Sequence, residues 1–310
     1  SANWTYTDAF LNTTLRSANT WYTVLAKAID TAGNEPAGYT AGVSSRIFMM
    51  DSAPPTAALT FPADGGAYKR VNISGVGHEL SGTAADPGAP WNSGVRSVEV
   101  RISYLQGGDS YYYLPGPQAF SSGTIASPGW FTSGAVVFTP WPHDRAVNWA
   151  SGDRQYQIDV RGQDLSFGGD GSAAGNYGVP ASPGTDIRTF YVDDTVPAFA
   201  LQSPAQAELN ALATISGTAN ADTAGLAEVA VRIQRVAGGA DEDWTGSSWT
   251  ALNDHYSTAT LSGVNGTVTW DYDDLAGAFQ DGRQYRVYVR LTDRAGNVLC
   301  SALPGHANFA

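Results

Sequence analysis

The 310-residue chain has little of several things that mark common protein classes. Its single cysteine, Cys300, cannot form a disulfide within the chain, so packed cores must hold the fold. No apolar run approaches the roughly 18 residues of a membrane-spanning helix. Only 15% of residues are charged, and 17 Lys and Arg against 29 Asp and Glu give a net charge of −12. We therefore expect no nucleic-acid partner, because such binding needs a basic face.

The sequence also lacks the usual signatures of catalysis. It contains no H-E-x-x-H motif, no G-x-S-x-G nucleophile turn and no phosphate-binding P-loop. The four histidines lie far apart in the sequence and form no close pair: His78, His143, His255 and His306. The sequence therefore predicts a protein that is not an enzyme.

What the chain does have is a repeat that ends in aspartate. An alternating apolar run leads from a tyrosine to an aspartate eight residues later at Tyr22–Asp30, Tyr156–Asp164 and Tyr285–Asp293. After the first and third of these aspartates the chain continues x-Ala-Gly-Asn, whereas the middle copy has a longer, glycine-rich loop. The copies are 134 and 129 residues apart, which indicates tandem domains.

Two junctions separate the copies. Each consists of a strand-like run, one or two aspartates and then proline, as in Asp51–Pro55 and Asp193–Pro197. Proline directly after a strand ends the ladder of hydrogen bonds and stiffens the exit. The junctions predict domains at residues 1–52, 53–194 and 195–310.

Each complete copy also contains a Ser-Gly-Thr-Ala run followed by a strand of alternating residues. The runs are Ser81–Ala84 and Ser216–Ala219, and the alternating strands are Gly94–Ile102 and Gly225–Ile233. Valine and isoleucine at every second position are typical of a half-buried strand. About seven such strands per copy predict an all-β chain of antiparallel, Greek-key β-sandwiches, with only the last strands of a sandwich in residues 1–52.

The order of these motifs resembles bacterial immunoglobulin-like (Big-type) repeats. Such repeats are strung along very large exported surface proteins and adhesins. The resemblance implies an extracellular or cell-surface structural segment, which acts as a rigid stalk or assembly unit in a filament or adhesin. Its partners would be adjacent repeats of the same polypeptide or neighbouring copies in an assembly.

The aspartates of the loops and junctions form a candidate calcium site. Similar repeats use calcium to stiffen their hinges, and carboxylates from a loop and a junction could converge on a cation that needs six to eight oxygens. The candidate ligands are Asp30, Asp51, Asp194 and Asp293. The alternative is purely structural, because Asp, Asn and a glycine with positive φ also make a tight turn without any metal.

The middle copy is rich in aromatic residues, which opens a second hypothesis about function. Exposed Trp130 and Trp141 could stack on sugar rings, as in a carbohydrate-binding module of a secreted polysaccharide-active protein. The alternative is a structural role, in which these rings fill the hydrophobic core. A comparison of spacing places Trp4, Phe138 and Trp270 at equivalent positions, 18, 18 and 15 residues before the repeated tyrosine.

The repeated tyrosines are expected to be structural. In a sandwich of this kind we expect Tyr22, Tyr156 and Tyr285 to place the ring in the core and the hydroxyl against nearby backbone. Residues 1–52 supply too few strands to bury their own apolar face. We expect Trp4, Tyr22, Val24 and Ile29 to be covered by something outside those residues, either further sequence or a neighbouring chain.

Overall fold

A computed structural model describes residues 3–7, 20–73, 80–88, 92–122, 129–143, 147–167, 175–206, 208–220, 223–236, 240–251 and 254–302. Their regular secondary structure is almost entirely β-strand, with one short helix, α1 (Arg70–Ile73). The strands are β1 (Thr20–Leu25), β2 (Ser45–Met50), β3 (Thr56–Phe61), β4 (Gly66–Tyr68), β5 (Ser81–Ala85), β6 (Val95–Gln106), β7 (Asp109–Leu114), β8 (Ala119–Ser122), β9 (Phe131–Thr132), β10 (Trp141–Pro142), β11 (Arg154–Asp164), β12 (Ile187–Val192), β13 (Ala198–Ser203), β14 (Ile215–Asn220), β15 (Leu226–Val236), β16 (Glu242–Trp244), β17 (Trp249–Thr250), β18 (Ser257–Thr258), β19 (Thr260–Leu261), β20 (Thr267–Tyr272), β21 (Gln284–Asp293) and β22 (Val298–Ala302). The predicted all-β class is confirmed.

The first segment is a two-stranded antiparallel sheet of β1 and β2. Tyr22 lies opposite Phe48 and stacks on it at 5.5 Å between ring centroids. Trp4, Val24 and Ile29 are 68%, 48% and 58% exposed. It remains a prediction that further sequence or a neighbouring chain, outside residues 1–52, buries these side chains.

The middle sandwich packs two sheets around one core. One sheet has the strand order β10-β5-β3, and the other has the order β4-β12-β11-β6-β7-β8, with β9 beside β6. All of these pairs are antiparallel except β4 with β12. The alternating residues of β6 produce the core, because Val98, Val100 and Ile102 all face inwards and are buried.

The third sandwich repeats this plan with its own core. Its sheets have the orders β13-β14-β20-β19 and β17-β16-β15-β21-β22, with β18 beside β15. The equivalent alternating residues of β15, Val229, Val231 and Ile233, are again buried. In both sandwiches the strand that ends in the repeated aspartate lies between the alternating strand and the last strand.

A tryptophan packed on a glycine identifies the equivalent strands of the two sandwiches. Trp141 lies opposite Gly82 of the first Ser-Gly-Thr-Ala run, and Trp270 lies opposite Gly217 of the second. Each tryptophan stands 15 residues before its tyrosine. The counterpart of Trp270 is therefore Trp141. Phe138, which the sequence comparison had placed there, matches only the 18-residue spacing of the first copy.

Within the described part of the chain, no helix is long and apolar enough to cross a membrane.

Candidate metal site and domain junctions

An aspartate–asparagine pair fastens the first junction to the middle sandwich. Asp164, at the end of β11, accepts hydrogen bonds from the backbone N–H of Asn176 at 2.7 Å and from its side-chain amide at 2.7 Å. The same Asn176 amide donates to the backbone carbonyl of Asp51 at 3.0 Å. One asparagine thereby ties the end of the core strand to the junction.

The third sandwich contains the same arrangement. Asp293, at the end of β21, accepts from the backbone and side chain of Asn297 at 2.8 Å each, and the Asn297 amide donates to the Asp193 carbonyl at 3.0 Å. In the first segment Asp30 and Asn34 form the same pair, at 2.8 and 2.7 Å. Hydrogen bonds from the Asn34 side chain and backbone lower the pKa of Asp30.

The aspartate that corresponds to Asp51 is Asp193. The Asp51 carboxylate accepts from the backbone N–H of Ser93 at 2.7 Å, and the Asp193 carboxylate accepts from the N–H of Ala224 at 2.8 Å. Each bond fixes a junction aspartate to the loop before the alternating strand of the following sandwich. The sequence comparison paired Asp51 with Asp194 instead, because each stands three residues before a proline, Pro54 and Pro197.

Asp194 has a different role, since it faces the preceding sandwich. Its carboxylate accepts from Arg70 Nε at 2.9 Å and from the Arg70 backbone N–H at 2.8 Å. Burial alone would raise the pKa of Asp194, but the hydrogen bonds and charge of Arg70 lower it overall. Both oxygens of this carboxylate are thus bonded to Arg70, and a metal-binding role for Asp194 stays a prediction.

Three carboxylates meet at the first junction. Oxygen atoms of Asp51, Asp86 and Asp164 all lie within 4.8 Å of one another. Of the four aspartates proposed as ligands from the sequence, only Asp51 belongs to this cluster. Asp30 and Asp293 lie in their own turns, and no other group of this kind occurs among the residues that the structure describes.

Sequence reasoning missed Asp86 and Asp164 although both occupy repeat positions. Asp86 follows the Ser-Gly-Thr-Ala run, and Asp164 ends the tyrosine-to-aspartate strand. The recurrence of an aspartate at each of these two positions in the other complete copy, as Asp222 and Asp293, is the sequence signal that could have identified them. In the third sandwich Asp193 and Asp293 are buried, while the remaining counterpart, Asp222, lies outside the described residues.

Asp86 is the electrostatically unfavourable member of the cluster. One carboxylate oxygen accepts from the Gly94 N–H at 2.7 Å, while the other is buried with no hydrogen-bond partner. Burial raises the pKa of Asp86, the Gly94 bond opposes this, and the charges of Asp51 and Asp164 raise it further. An ionised carboxylate with one buried, unpartnered oxygen beside two other carboxylates is a position that a cation would stabilise.

The donor set suits a hard divalent cation. Three carboxylates offer up to six oxygens, and calcium takes six to eight oxygen ligands in flexible geometry. Asp164 and Asp51 already accept hydrogen bonds at both oxygens, so the freest donor atom is the unpartnered oxygen of Asp86. Backbone carbonyls and water would complete the coordination shell.

Neither of the two tryptophans proposed to stack on sugar rings is a fully exposed side chain. Trp141 is 0% exposed and belongs to the core. Trp130 is half-buried, and the guanidinium groups of Arg101 and Arg161 lie over its ring, 4.8 Å and 4.2 Å from the centroid. That Trp130 stacks on a sugar stays a prediction.

A groove of about 410 Å³ runs along the outer face of the sheet near the second junction. Arg101, Arg154 and Gln157 line it with Asp159, and these polar groups largely bind one another. Arg101 and Gln157 both donate to Asp159, at 2.7 and 2.8 Å, while Arg154 stacks on Tyr104. The groove therefore offers few vacant polar groups to a ligand.

The repeated tyrosines differ in their surroundings. Tyr285 is 2% exposed, and its hydroxyl accepts a hydrogen bond from the Gln280 N–H at 2.7 Å. Tyr156 is completely buried among aromatic rings, and this burial raises its pKa to about 12. Tyr22 is half-buried against Phe48.

Comparison with known proteins gives likenesses of structure and none of sequence family. No protein-family model matches the chain, and no curated protein matches it. A solved structure described as a "tetra-tandem repeat in extending region of large adhesion protein" is similar with 16% sequence identity and a TM-score of 0.30. The match covers 91% of this chain and 55% of that chain. No property of that protein is carried over on a likeness of this size.

Proposed function

We propose that this chain is a non-enzymatic structural segment of a repetitive extracellular surface protein, filament or adhesin. The observation that carries the proposal is the repeated junction. In both complete copies, an asparagine bonded to the aspartate that ends a core strand donates its amide to the carbonyl of a junction aspartate, at 3.0 Å in each case. A bond that recurs at each boundary controls how one unit follows the next, which is the task of a stalk.

The mechanism of such a segment is mechanical. Each junction is short, contains proline and is hydrogen-bonded to the following sandwich, so few backbone torsions remain free at the boundary. Adjacent repeats are therefore the partners of each unit. Tandem units joined in this way would hold a distal part of the protein away from the cell.

Nitrogen-15 relaxation of the intact 32.6 kDa chain tests the rigidity that this function requires. We expect the amides of the middle and third sandwiches to share one rotational correlation time, that of a single body. Two shorter times, each appropriate to one sandwich, would contradict the proposal. Protease treatment of intact source cells tests the location, since a surface segment is digested while a cytosolic control protein survives.

We also propose that the first junction binds calcium through Asp51, Asp86 and Asp164. The cluster of three carboxylates and the buried, unpartnered oxygen of Asp86 support this second proposal. Binding would offset two of the three neighbouring negative charges and join the junction to two loops of the middle sandwich. The cation would thus stiffen the boundary.

Calorimetric titration of the chelator-treated chain with calcium chloride tests this site. Wild type should release or absorb heat with saturation, and Asp86→Asn should abolish that signal. Asp109→Asn is the matched control, because it removes one exposed carboxylate outside the cluster and should leave the signal unchanged. Equal binding by wild type and Asp86→Asn would overturn the assignment.

A further inference from the structure

Three consecutive residues of the second junction bond to the sandwiches on both sides. Asp193 belongs mainly to the third sandwich, where its carboxylate accepts from Ala224 and its carbonyl accepts from Asn297. Its own N–H donates to the Tyr68 carbonyl of the middle sandwich at 2.9 Å. A single residue therefore contacts both bodies.

The next two residues bond back to the middle sandwich. The Asp194 N–H donates to Asp153 at 2.9 Å, and the Thr195 hydroxyl donates to the other oxygen of that carboxylate. Arg70 adds its ion pair with Asp194, while its guanidinium also donates to the Trp149 carbonyl at 3.2 Å. Arg70 is thereby anchored in its own sandwich and holds the connector from there.

A direct contact also bridges the two sandwiches. Arg294 lies in the turn after β21, and its guanidinium donates to the Gly65 carbonyl before β4 at 2.8 Å. The neighbouring Gly296 of that turn approaches the Lys69 side chain, which would lie 3.9 Å from a Cβ at that position. The turn that carries the repeated asparagine thus also touches the preceding sandwich.

We propose that Arg70, Asp194 and Arg294 form a polar lock that fixes the angle between the middle and third sandwiches. The inference rests on the proposed structural function and deepens it, because it names the side chains that make this boundary rigid. The connector alone would leave relative motion as the default for two domains with separate cores. Charge-assisted bonds at two places, one on the connector and one beside it, remove rotation about the connector axis.

The first junction differs in sequence at the decisive position. Ser52 follows Asp51 where Asp194 follows Asp193, so the acid that meets Arg70 has no counterpart there. The carboxylate of Asp51 bonds forwards to Ser93, and its carbonyl bonds forwards to Asn176. The lock is thus a property of the second junction, whereas the carboxylate cluster is found at the first.

Pulsed dipolar spectroscopy on the full chain tests the lock. The native Cys300 is exposed on the third sandwich and accepts one spin label, and Ser122→Cys places the other on an exposed strand of the middle sandwich. Wild type should give a narrow distance distribution. Arg70→Ala with Arg294→Ala should broaden it by about twofold, since unrestrained neighbouring domains move relative to each other. Arg283→Ala, which removes an exposed arginine away from the junction, should leave it narrow.

Asp194→Ala provides a second variant, because this exposed side chain can be removed with little effect on either core. It should broaden the distribution while the thermal unfolding of both sandwiches stays unchanged. A distribution that stays narrow in the double variant and in Asp194→Ala overturns the lock and leaves the rigid segment standing. A broad distribution in wild type would contradict both the lock and the rigid structural segment. The nitrogen-15 relaxation should then show two separate correlation times.

Discussion

At the residue scale, the same side chain has different tasks according to its surroundings. Asp164 and Asp293 are buried acids satisfied by an asparagine, whereas Asp86 keeps one oxygen buried without a partner. Because the pKa of Asp86 is raised, the native state binds its proton more tightly than the unfolded chain does. Stability therefore falls as the pH rises from the ordinary aspartate range through this raised pKa.

Replacing Asp86 by asparagine should stabilise the chain when no divalent cation is present. The side-chain carbonyl of the new asparagine could still accept from the Gly94 N–H, but the amide would carry no charge beside Asp51 and Asp164. We expect Tm at neutral pH in chelator to rise by about 1–3 °C, and the fall in Tm between mildly acidic and neutral pH to shrink. Asp109→Asn serves as control, and a lower Tm for Asp86→Asn than for that control would show that the carboxylate is stabilising.

The repeated tyrosine of the third sandwich should contribute mainly through its ring. Tyr285→Ala removes a buried aromatic side chain and is expected to cost about 3–5 kcal/mol of unfolding free energy. Tyr285→Phe keeps the ring, loses only the bond from the Gln280 N–H and should cost about 1 kcal/mol. Denaturant unfolding of both variants measures the contributions of the ring and of the hydroxyl to the free energy of unfolding. A loss below about 1 kcal/mol for Tyr285→Ala would mean that the ring does not support the core.

At the element scale, the glycine of each Ser-Gly-Thr-Ala run lies in close contact with a neighbouring backbone carbonyl and a tryptophan ring. A Cβ on Gly217 would lie 2.2 Å from the Ala200 carbonyl oxygen and 2.7 Å from the Trp270 ring. Gly82 has the same neighbours in the middle sandwich, with 1.9 Å to the Ala58 carbonyl oxygen and 2.6 Å to Trp141. The glycine is therefore required because a tryptophan ring lies against the strand.

Gly217→Ala should destabilise the third sandwich by about 1–3 kcal/mol or more, because the neighbouring backbone must move to admit one methyl group. Gly263→Ala is the matched control in the same sandwich, since its Cβ would meet only the Val268 side chain at an ordinary 3.5 Å. Thermal or denaturant unfolding distinguishes them. If the two variants unfold at the same point, the close packing of Trp270 on β14 is not rigid.

The alternating strands show why local sequence was informative at this scale. β6 and β15 have valine or isoleucine at every second position, and these positions face the core in both sandwiches. A strand with period two has only one apolar face, so its orientation is specified once a core exists. The register against the tyrosine strand follows from that, with Val100 opposite Val160 and Val231 opposite Val289.

At the scale of the whole molecule, the residues that the structure describes form two separate hydrophobic cores. One is built around Tyr156 and Trp141 and the other around Tyr285 and Trp270. The bonds between them are polar and lie at the second junction, as with Arg70 and Asp194. Separate cores linked by polar bonds of this kind should respond separately to a mutation.

Hydrogen exchange on the intact chain tests this independence. Tyr285→Ala should accelerate amide exchange in β15 and β21 while β6 and β11 keep their protection, because only the third core loses packing. Tyr156→Ala should have the reverse effect. Equal acceleration in both sandwiches from either variant would show that the two cores unfold as one cooperative unit.

The sequence by itself determined the fold class, the order of strands and the positions of the junctions' prolines. Those features depend on local chemistry: period-two alternation, turn residues and a motif that repeats along the chain. The prediction of domains at 1–52, 53–194 and 195–310 rests on the same repeats. It also depended on knowing that short strands bury themselves by stacking sheets.

Only the tertiary structure decided which residues meet. Asp51, Asp86 and Asp164 come from three distant parts of the chain, and sheet packing brings them within 4.8 Å. Neighbouring acids at 193 and 194 look interchangeable in the sequence, but one faces the following sandwich and the other faces Arg70. The sequence allowed Trp141 to be an exposed ligand-binding ring, but in the structure the ring packs on Gly82 and is buried. In each case the outcome depends on the direction of a side chain across a closed sandwich, which local sequence does not encode.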